Sequence, residues 1–254
     1  MTAVLAVSGL GKSFGGVRAV DDVSFALQAG ELLALIGPNG AGKSTCFNML
    51  NGQLKPDTGA IRLHGRDIAG LAPRAIWRLG VGRTFQITAT FGSMSVLENV
   101  QMVLLSHHRQ LGGLWRPAAD RHRDDAHALL ARVGMAAQAA RPCGILAYGD
   151  VKRVELAIAL AHRPKLLLMD EPTAGMAPAE RLALMALTAE LVRADGISVL
   201  FTEHDMDVVF GHADRVLVLN RGRLIAEGPP AAVRADPAVQ EVYLGSGAMY
   251  GAPA

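Results

Sequence analysis

Val23, Phe25 and Leu27 alternate with polar or small residues and stop at Ala29-Gly30, and Ile61 and Leu63 alternate ahead of His64-Gly65. A period of two marks a strand with one buried face, so the first third of the chain reads as strands. Leu32 to Ile36 is apolar without a break, and so are Leu166 to Met169, Ile197 to Phe201 and Val216 to Leu219. Short continuous runs of this kind fit strands buried on both faces, as in a parallel sheet covered by helices. From Ser95 to His162 the pattern changes. Ser95 with Glu98 three residues on is a capping box opening an apolar helix through Leu105, and Asp124 to Val133 and Val151 to His162 repeat with a helical period. Pro178 suits the first position of a further helix and Gly196 its stop. We therefore expect an α/β chain with a mostly parallel sheet and an N-terminal antiparallel β subdomain. Residues 1–94 and 163–244 would form the core, 95–162 an inserted helical subdomain, and 245–254 a flexible tail.

Composition narrows the classes. The chain has 254 residues, half of them hydrophobic, which is enough for one large domain. No apolar run reaches the ~18 residues of a membrane-spanning helix, and Met1 to Phe14 lacks the pattern of a secretory signal. A soluble, cytoplasmic chain is expected. The net charge of +2 is too balanced for a nucleic-acid surface, and His107, His108 and Arg109 read as a solvated face. Cys46 and Cys143 lack metal-ligand spacing and read as reduced, buried small hydrophobes.

The chemistry sits behind the first buried run. Gly37-Pro38-Asn39-Gly40-Ala41-Gly42-Lys43-Ser44-Thr45 follows Leu32 to Ile36 and opens a helix. Its glycines let backbone N–H groups close around a phosphate, and the helix N-terminus adds positive potential. Lys43 would reach the terminal phosphates of ATP and the Ser44 hydroxyl would ligate Mg²⁺. Lysine is scarce, with only Lys12, Lys55, Lys152 and Lys165 besides Lys43. A second buried run, Leu166 to Met169, ends in Asp170-Glu171. Asp170 suits the Mg²⁺ shell and Glu171 the attacking water, whereas a helix N-cap pair is the alternative. His204 follows the run Ile197 to Phe201, where ligands of a parallel sheet collect, so a γ-phosphate contact competes with an ordinary surface histidine.

Taken in order from Leu5 to Leu244, these motifs resemble the nucleotide-binding subunit of an ATP-binding-cassette transporter. The resemblance implies a phosphate-loop, RecA-like core. It makes Gly37 to Thr45 the Walker A loop, Leu166 to Asp170 the Walker B strand and Glu171 the catalytic glutamate. By the same likeness Phe14 stacks on adenine, with a core aromatic as the alternative. Gln86, in Arg83-Thr84-Phe85-Gln86, touches Mg²⁺ and the water, and His204 is the switch histidine. The signature segment departs from the family pattern: Leu146-Ala147-Tyr148-Gly149-Asp150 has alanine where serine is usual. That leaves Gly149 and a helix N-terminus to meet the nucleotide of a partner subunit in trans, with Asp150 as a cap of that helix. Ala174 to Pro178 likewise lacks the usual acid or amide.

Within the superfamily the likeness is greatest to importer subunits for branched-chain and other hydrophobic amino acids. It rests on Arg83 to Gln86, the Ala-Tyr-Gly signature, Thr202 to Met206, the segment Ser106 to Asp125, and the ending Asp236-Pro237 to Gly245. It implies a second ATPase subunit, identical or a paralogue, separate permease chains and, indirectly, a substrate-binding protein. The chain would sit on the inner face of the cell membrane. An exporter of lipid or lipopolysaccharide is the main alternative; a non-transport cassette ATPase lacks its usual second cassette or coiled coil here. A kinase or GTPase would leave Gln86, Gly149 and His204 unexplained. Ile87, Phe91 and Met94 are expected to form a docking surface for the permease, against packing beneath the helices as the alternative.

Overall fold

The computed structural model describes residues 3–84, 90–110 and 120–244. Strands β1 (Ala3–Phe14), β2 (Val17–Gln28), β4 (Thr58–Leu63) and β5 (Arg66–Asp67) make an antiparallel sheet in the order β2-β1-β4-β5. A second sheet has the order β10-β9-β3-β8-β7-β6, built from β3 (Leu32–Ile36), β6 (Val81–Thr84), β7 (Leu166–Asp170), β8 (Ser198–Thr202), β9 (Arg215–Asn220) and β10 (Arg223–Gly228). Neighbours from β9 to β6 run parallel; β10 returns antiparallel on β9 through the Arg221-Gly222 turn. Every residue of β3, β7 and β8 is buried, as expected for strands sandwiched between layers.

Alternate faces of these strands feed two cores. Leu33, Leu35, Leu166, Leu168 and Leu200 point toward the antiparallel sheet and helix α1 (Lys43–Leu50). Leu32, Ala34, Leu167, Met169 and Phe201 point toward the helices on the other side. That second core continues without a break into α3 (Val96–His107), α4 (Arg123–Arg132) and α5 (Tyr148–Leu160). The remaining helices are α2 (Pro73–Arg78), α6 (Pro178–Asp195), α7 (Met206–His212), α8 (Pro230–Ala235) and α9 (Pro237–Leu244). Among the described residues, 95–162 hold helices and no strand beyond a single Ser95–Pro142 bridge.

Local signals act where the pattern placed them. The Ser95 side chain accepts from the Glu98 amide while Glu98 accepts from the Ser95 amide, closing the capping box of α3. Pro178 opens α6, and Gly196 ends it in the left-handed region, φ 63°. Two expectations fail. Helix α5 begins at Tyr148, not Val151, with Ala147 as its N-cap and no side-chain cap bond. Asp150 is therefore inside the first turn and does not cap it, although its charge there still complements the helix dipole. No helix among the described residues is long and apolar enough to cross a membrane. Cys46 and Cys143 are free and buried, and burial pushes the Cys46 thiol up to about 12.

Candidate nucleotide site

The strand order decides the site. β8 lies between β3 and β7, with Thr202 in register with both Leu35 and Asp170. The loop after β3, the carboxylates ending β7 and the residues after β8 therefore meet at one edge of the sheet, the carboxyl edge where parallel sheets hold ligands.

The loop after β3 can be built only with glycine at two points. A Cβ on Gly37 would lie 2.2 Å from the Leu219 carbonyl oxygen, and one on Gly42 2.3 Å from that of Ala19. Both residues also have positive φ, 154° and 104°. Gly40, φ 78°, has open space instead. The Gly222 amide of the β9–β10 turn donates to Ala41 at 2.9 Å, so this hairpin braces the loop from the far side. Lys43 is only 7% exposed, and its Nζ donates to the Gly37 and Pro38 carbonyls at 2.7 and 3.1 Å. Burial pulls its pKa below the ordinary lysine value, while the Glu171 and Asp170 carboxylates oppose that shift. A desolvated ammonium held by two backbone carbonyls is a fixed positive charge behind the loop.

Asp170 ends β7 almost buried. Thr202 Oγ1 donates to its Oδ1 at 2.8 Å, and the Arg83 guanidinium stands 3.6 Å from Oδ2. The next residue, Glu171, has φ 47° ahead of Pro172, a backbone state that a non-glycine residue keeps only when its surroundings impose it. The surroundings are visible: its amide donates to both the carbonyl and Oγ1 of Thr202, at 3.1 and 3.0 Å. Its Oε1 meets His204 Nε2 at 2.7 Å, so the two side chains form one unit at the open edge. Glu203, 3% exposed, turns inward and accepts from the Thr173 amide and hydroxyl at 2.8 and 2.6 Å. That pairing ties the end of β8 to the segment after Glu171. Asp205 caps α7 and binds Arg181 at 2.6 Å.

The other predicted residues lie as follows. Pro38, Asn39 and Thr45 belong to the loop and its helix, and the Ser44 hydroxyl is exposed at the start of α1. Phe14 is 49% exposed at the tip of the β1–β2 hairpin, with Lys12 Nζ 5.7 Å from its ring centroid, so it is not a core aromatic. Gln86 lies outside the described residues, as does Ile87. Gly149 is in the first turn of α5, where a Cβ would come within 3.1 Å of the Glu180 carboxylate. It shares a small cavity with Gly134, Arg153 and Met176, and no phosphate-loop residue lines that cavity. Phe91 is 58% exposed, which removes the core-packing alternative for it. His107, His108 and Arg109 are exposed, and the two histidines line a cavity of about 820 Å³ with His122 and Arg163, away from the phosphate loop. Arg83 and Thr202 belong to segments that carry the family likeness, but their segments assign neither a role, and Thr173 carries no motif signal at all; their place beside Asp170 and Glu171 marks them.

The oxygens on offer, one serine hydroxyl and one carboxylate, are the hard donors that Mg²⁺ prefers. Among the described residues no group of three His, Cys, Asp or Glu could enclose a metal, so phosphate and water oxygens would complete its shell.

Comparison with known proteins gives the family. The ABC transporter family profile matches residues 20–174, and that of the branched-chain amino acid ATP-binding cassette transporters matches residues 223–248. The high-affinity branched-chain amino acid transport ATP-binding protein LivG of Salmonella typhimurium is 43% identical over 252 residues, covering 95% of this chain and 98% of that protein. BraF of Pseudomonas aeruginosa, named with the same function, is 40% identical at the same coverage. Among solved structures, the ADP conformation of MJ1267, an ATP-binding cassette of an ABC transporter, superposes with a TM-score of 0.86. It is 33% identical and covers 96% of this chain and 100% of that one.

Proposed function

This chain belongs to the ABC transporter family, and from that premise we propose that it is the ATP-hydrolysing subunit of an importer for branched-chain amino acids. That it is an ATPase follows from the family. The importer reading is carried by the C-terminal match at 223–248 and by relatives named for branched-chain amino acid transport along nearly their whole length.

The triphosphate of ATP takes the place that the Gly37 and Pro38 carbonyls now hold beside the Lys43 ammonium. Phe14 offers an exposed ring to the adenine. Ser44 and Asp170, with Gln86, would hold Mg²⁺, which would neutralise charge on the phosphates. Glu171 orients the attacking water and draws its proton, and His204, 2.7 Å away, fixes that carboxylate and faces the γ-phosphate. A phosphoryl transfer needs little more than positioning and charge, and these residues supply both. Gly149 and the start of α5 close on the nucleotide of a second ATPase subunit, a copy of this chain or a paralogue. Residues 1–94 and 163–244 act as the nucleotide-binding core and 95–162 as the helical arm that carries the trans contact. The subunit sits on the inner face of the membrane against permease chains that receive a binding protein outside. Phe91 and Ile145, both exposed, flank the point where the Gly144 amide donates to Gly92 at 2.9 Å, and they form an apolar docking patch there.

Glu171→Gln should bind ATP normally but hydrolyse it at least ~100-fold more slowly, the usual worth of a general base. Lys43→Ala should lose binding as well. Wild-type turnover in Glu171→Gln would remove Glu171 from the mechanism. For the cargo, proteoliposomes carrying the co-purified permease should raise ATP turnover when their binding protein is loaded with leucine, isoleucine or valine. Stimulation by none of the three would overturn the importer reading.

A further inference from the structure

Arg83 is the one charged residue of β6, and its strand lies directly beside the strand that ends in Asp170. In register it faces Leu168, two residues before Asp170, so an extended side chain leaning along the strand reaches the carboxylate. Its side chain is 16% exposed. One nitrogen donates to Gln53 Oε1 at 2.6 Å, anchoring the guanidinium to the segment after α1, and another stands 3.6 Å from Asp170 Oδ2.

The two oxygens of Asp170 are thus in different states. Oδ1 receives the Thr202 hydroxyl at 2.8 Å. Oδ2 faces a positive charge at a distance well beyond the ~2.7–2.9 Å of a charge-assisted hydrogen bond. The guanidinium neutralises Oδ2 without saturating it. A divalent cation bound at either oxygen of Asp170 would feel the guanidinium as a like charge.

We propose that Arg83 is a positioning residue for the metal site, standing in for the cation while nucleotide is absent. It holds Asp170 in its folded geometry and keeps free divalent metal off the carboxylate until metal arrives with the triphosphate, whose negative charge outweighs the repulsion. This rests on the reading of Asp170 as a metal ligand.

The test is titration of the full chain with Mn²⁺, free ion read by electron paramagnetic resonance, with and without a non-hydrolysable ATP analogue. Arg83→Gln removes the charge and should bind Mn²⁺ roughly tenfold more tightly than wild type in the absence of nucleotide, as expected for loss of a like charge so close to the ligand. Arg83→Lys keeps the charge and should stay within about threefold of wild type on the same electrostatic grounds. Asp170→Asn should lose Mn²⁺ in the absence of the analogue. If Arg83→Gln binds Mn²⁺ like wild type while Asp170→Asn loses it, the stand-in role is wrong and the ligand reading survives. If Asp170→Asn binds Mn²⁺ like wild type in the absence of nucleotide, both fall. Should the glutamine variant fail to unfold cooperatively, Arg83→Met fills the same volume without charge and is held to the same outcomes.

Discussion

Replacing Thr202 with valine deletes one hydroxyl and keeps the shape. Thr202 is 1% exposed, and its Oγ1 donates to Asp170 Oδ1 at 2.8 Å. The same oxygen accepts the Glu171 amide at 3.0 Å, but that amide also has the Thr202 carbonyl at 3.1 Å, so the backbone turn keeps a partner. The loss therefore falls on the carboxylate. A hydrogen bond to a charged group is worth about 1.5–3 kcal/mol, and a buried acceptor left short cannot recover it from water. With about 2 kcal/mol lost, a chain of this size should melt roughly 4–8 °C lower. Thr202→Ser is the control: it keeps the hydroxyl and loses one buried methyl, worth about 1 kcal/mol. Melting followed by circular dichroism, alongside steady-state ATPase rates, separates the two. The valine variant should be the less stable and turn over up to about thirtyfold more slowly, the factor to which about 2 kcal/mol corresponds. A valine variant as stable and as active as the serine variant would refute the assignment of Thr202 as a residue that fixes Asp170.

Three further outcomes follow from the geometry. Burial against Trp77 depresses the His162 imidazole to about 4, so the unfolded chain protonates first: stability is full above the ordinary value near 6.5 and falls as pH drops toward 4. The loss is at most about 3 kcal/mol, and His162→Gln should flatten the stability-against-pH curve in that window, whereas an unchanged slope would count against it. Gly149→Asp sets a carboxylate beside that of Glu180, so it should destabilise the chain as well as block the partner's nucleotide; Glu180→Gln in the same chain should restore melting but not ATP-driven dimerisation, and restored dimerisation would place the whole effect in cis. Phe91→Asp should change stability by no more than about 0.5 kcal/mol, since Asn99 holds the Phe91 backbone at 2.8 and 3.1 Å and the ring is exposed, yet it should abolish pull-down of the permease; equal pull-down at matched melting temperature would end the docking role.

Much of this protein could be read before any folding was considered. Leu32–Ile36 emerges as a strand with the limits its apolar run has, because burial on both faces excludes polar residues and the glycine loop cuts it off sharply. The cap at Ser95, the proline at 178 and the glycine at 196 act within one helical turn, so their chemistry is complete in the local sequence. The glycine-rich turn between β3 and α1 is legible for the same reason. What stayed hidden involves partners far apart in the chain. β1 breaks the period of two because its register on β2 shifts repeatedly near Gly9 and Gly11, so it shows no clean alternation. β6 is four residues long, and β10 is largely half-exposed, which leaves little apolar signal in either. The start of α5 at Tyr148 depends on Ala147 lying in extended geometry, and no capping side chain announces it. Above all, Arg83, Asp170 and Thr202 become neighbours only because β8 inserts between β3 and β7 while β6 closes the sheet on the far side. Hydrophobic period and turn chemistry tell a segment what to become; which strands lie side by side is settled by how whole elements cover one another's apolar faces, and that order alone brings a threonine, an arginine and two carboxylates to the carboxyl edge of one sheet.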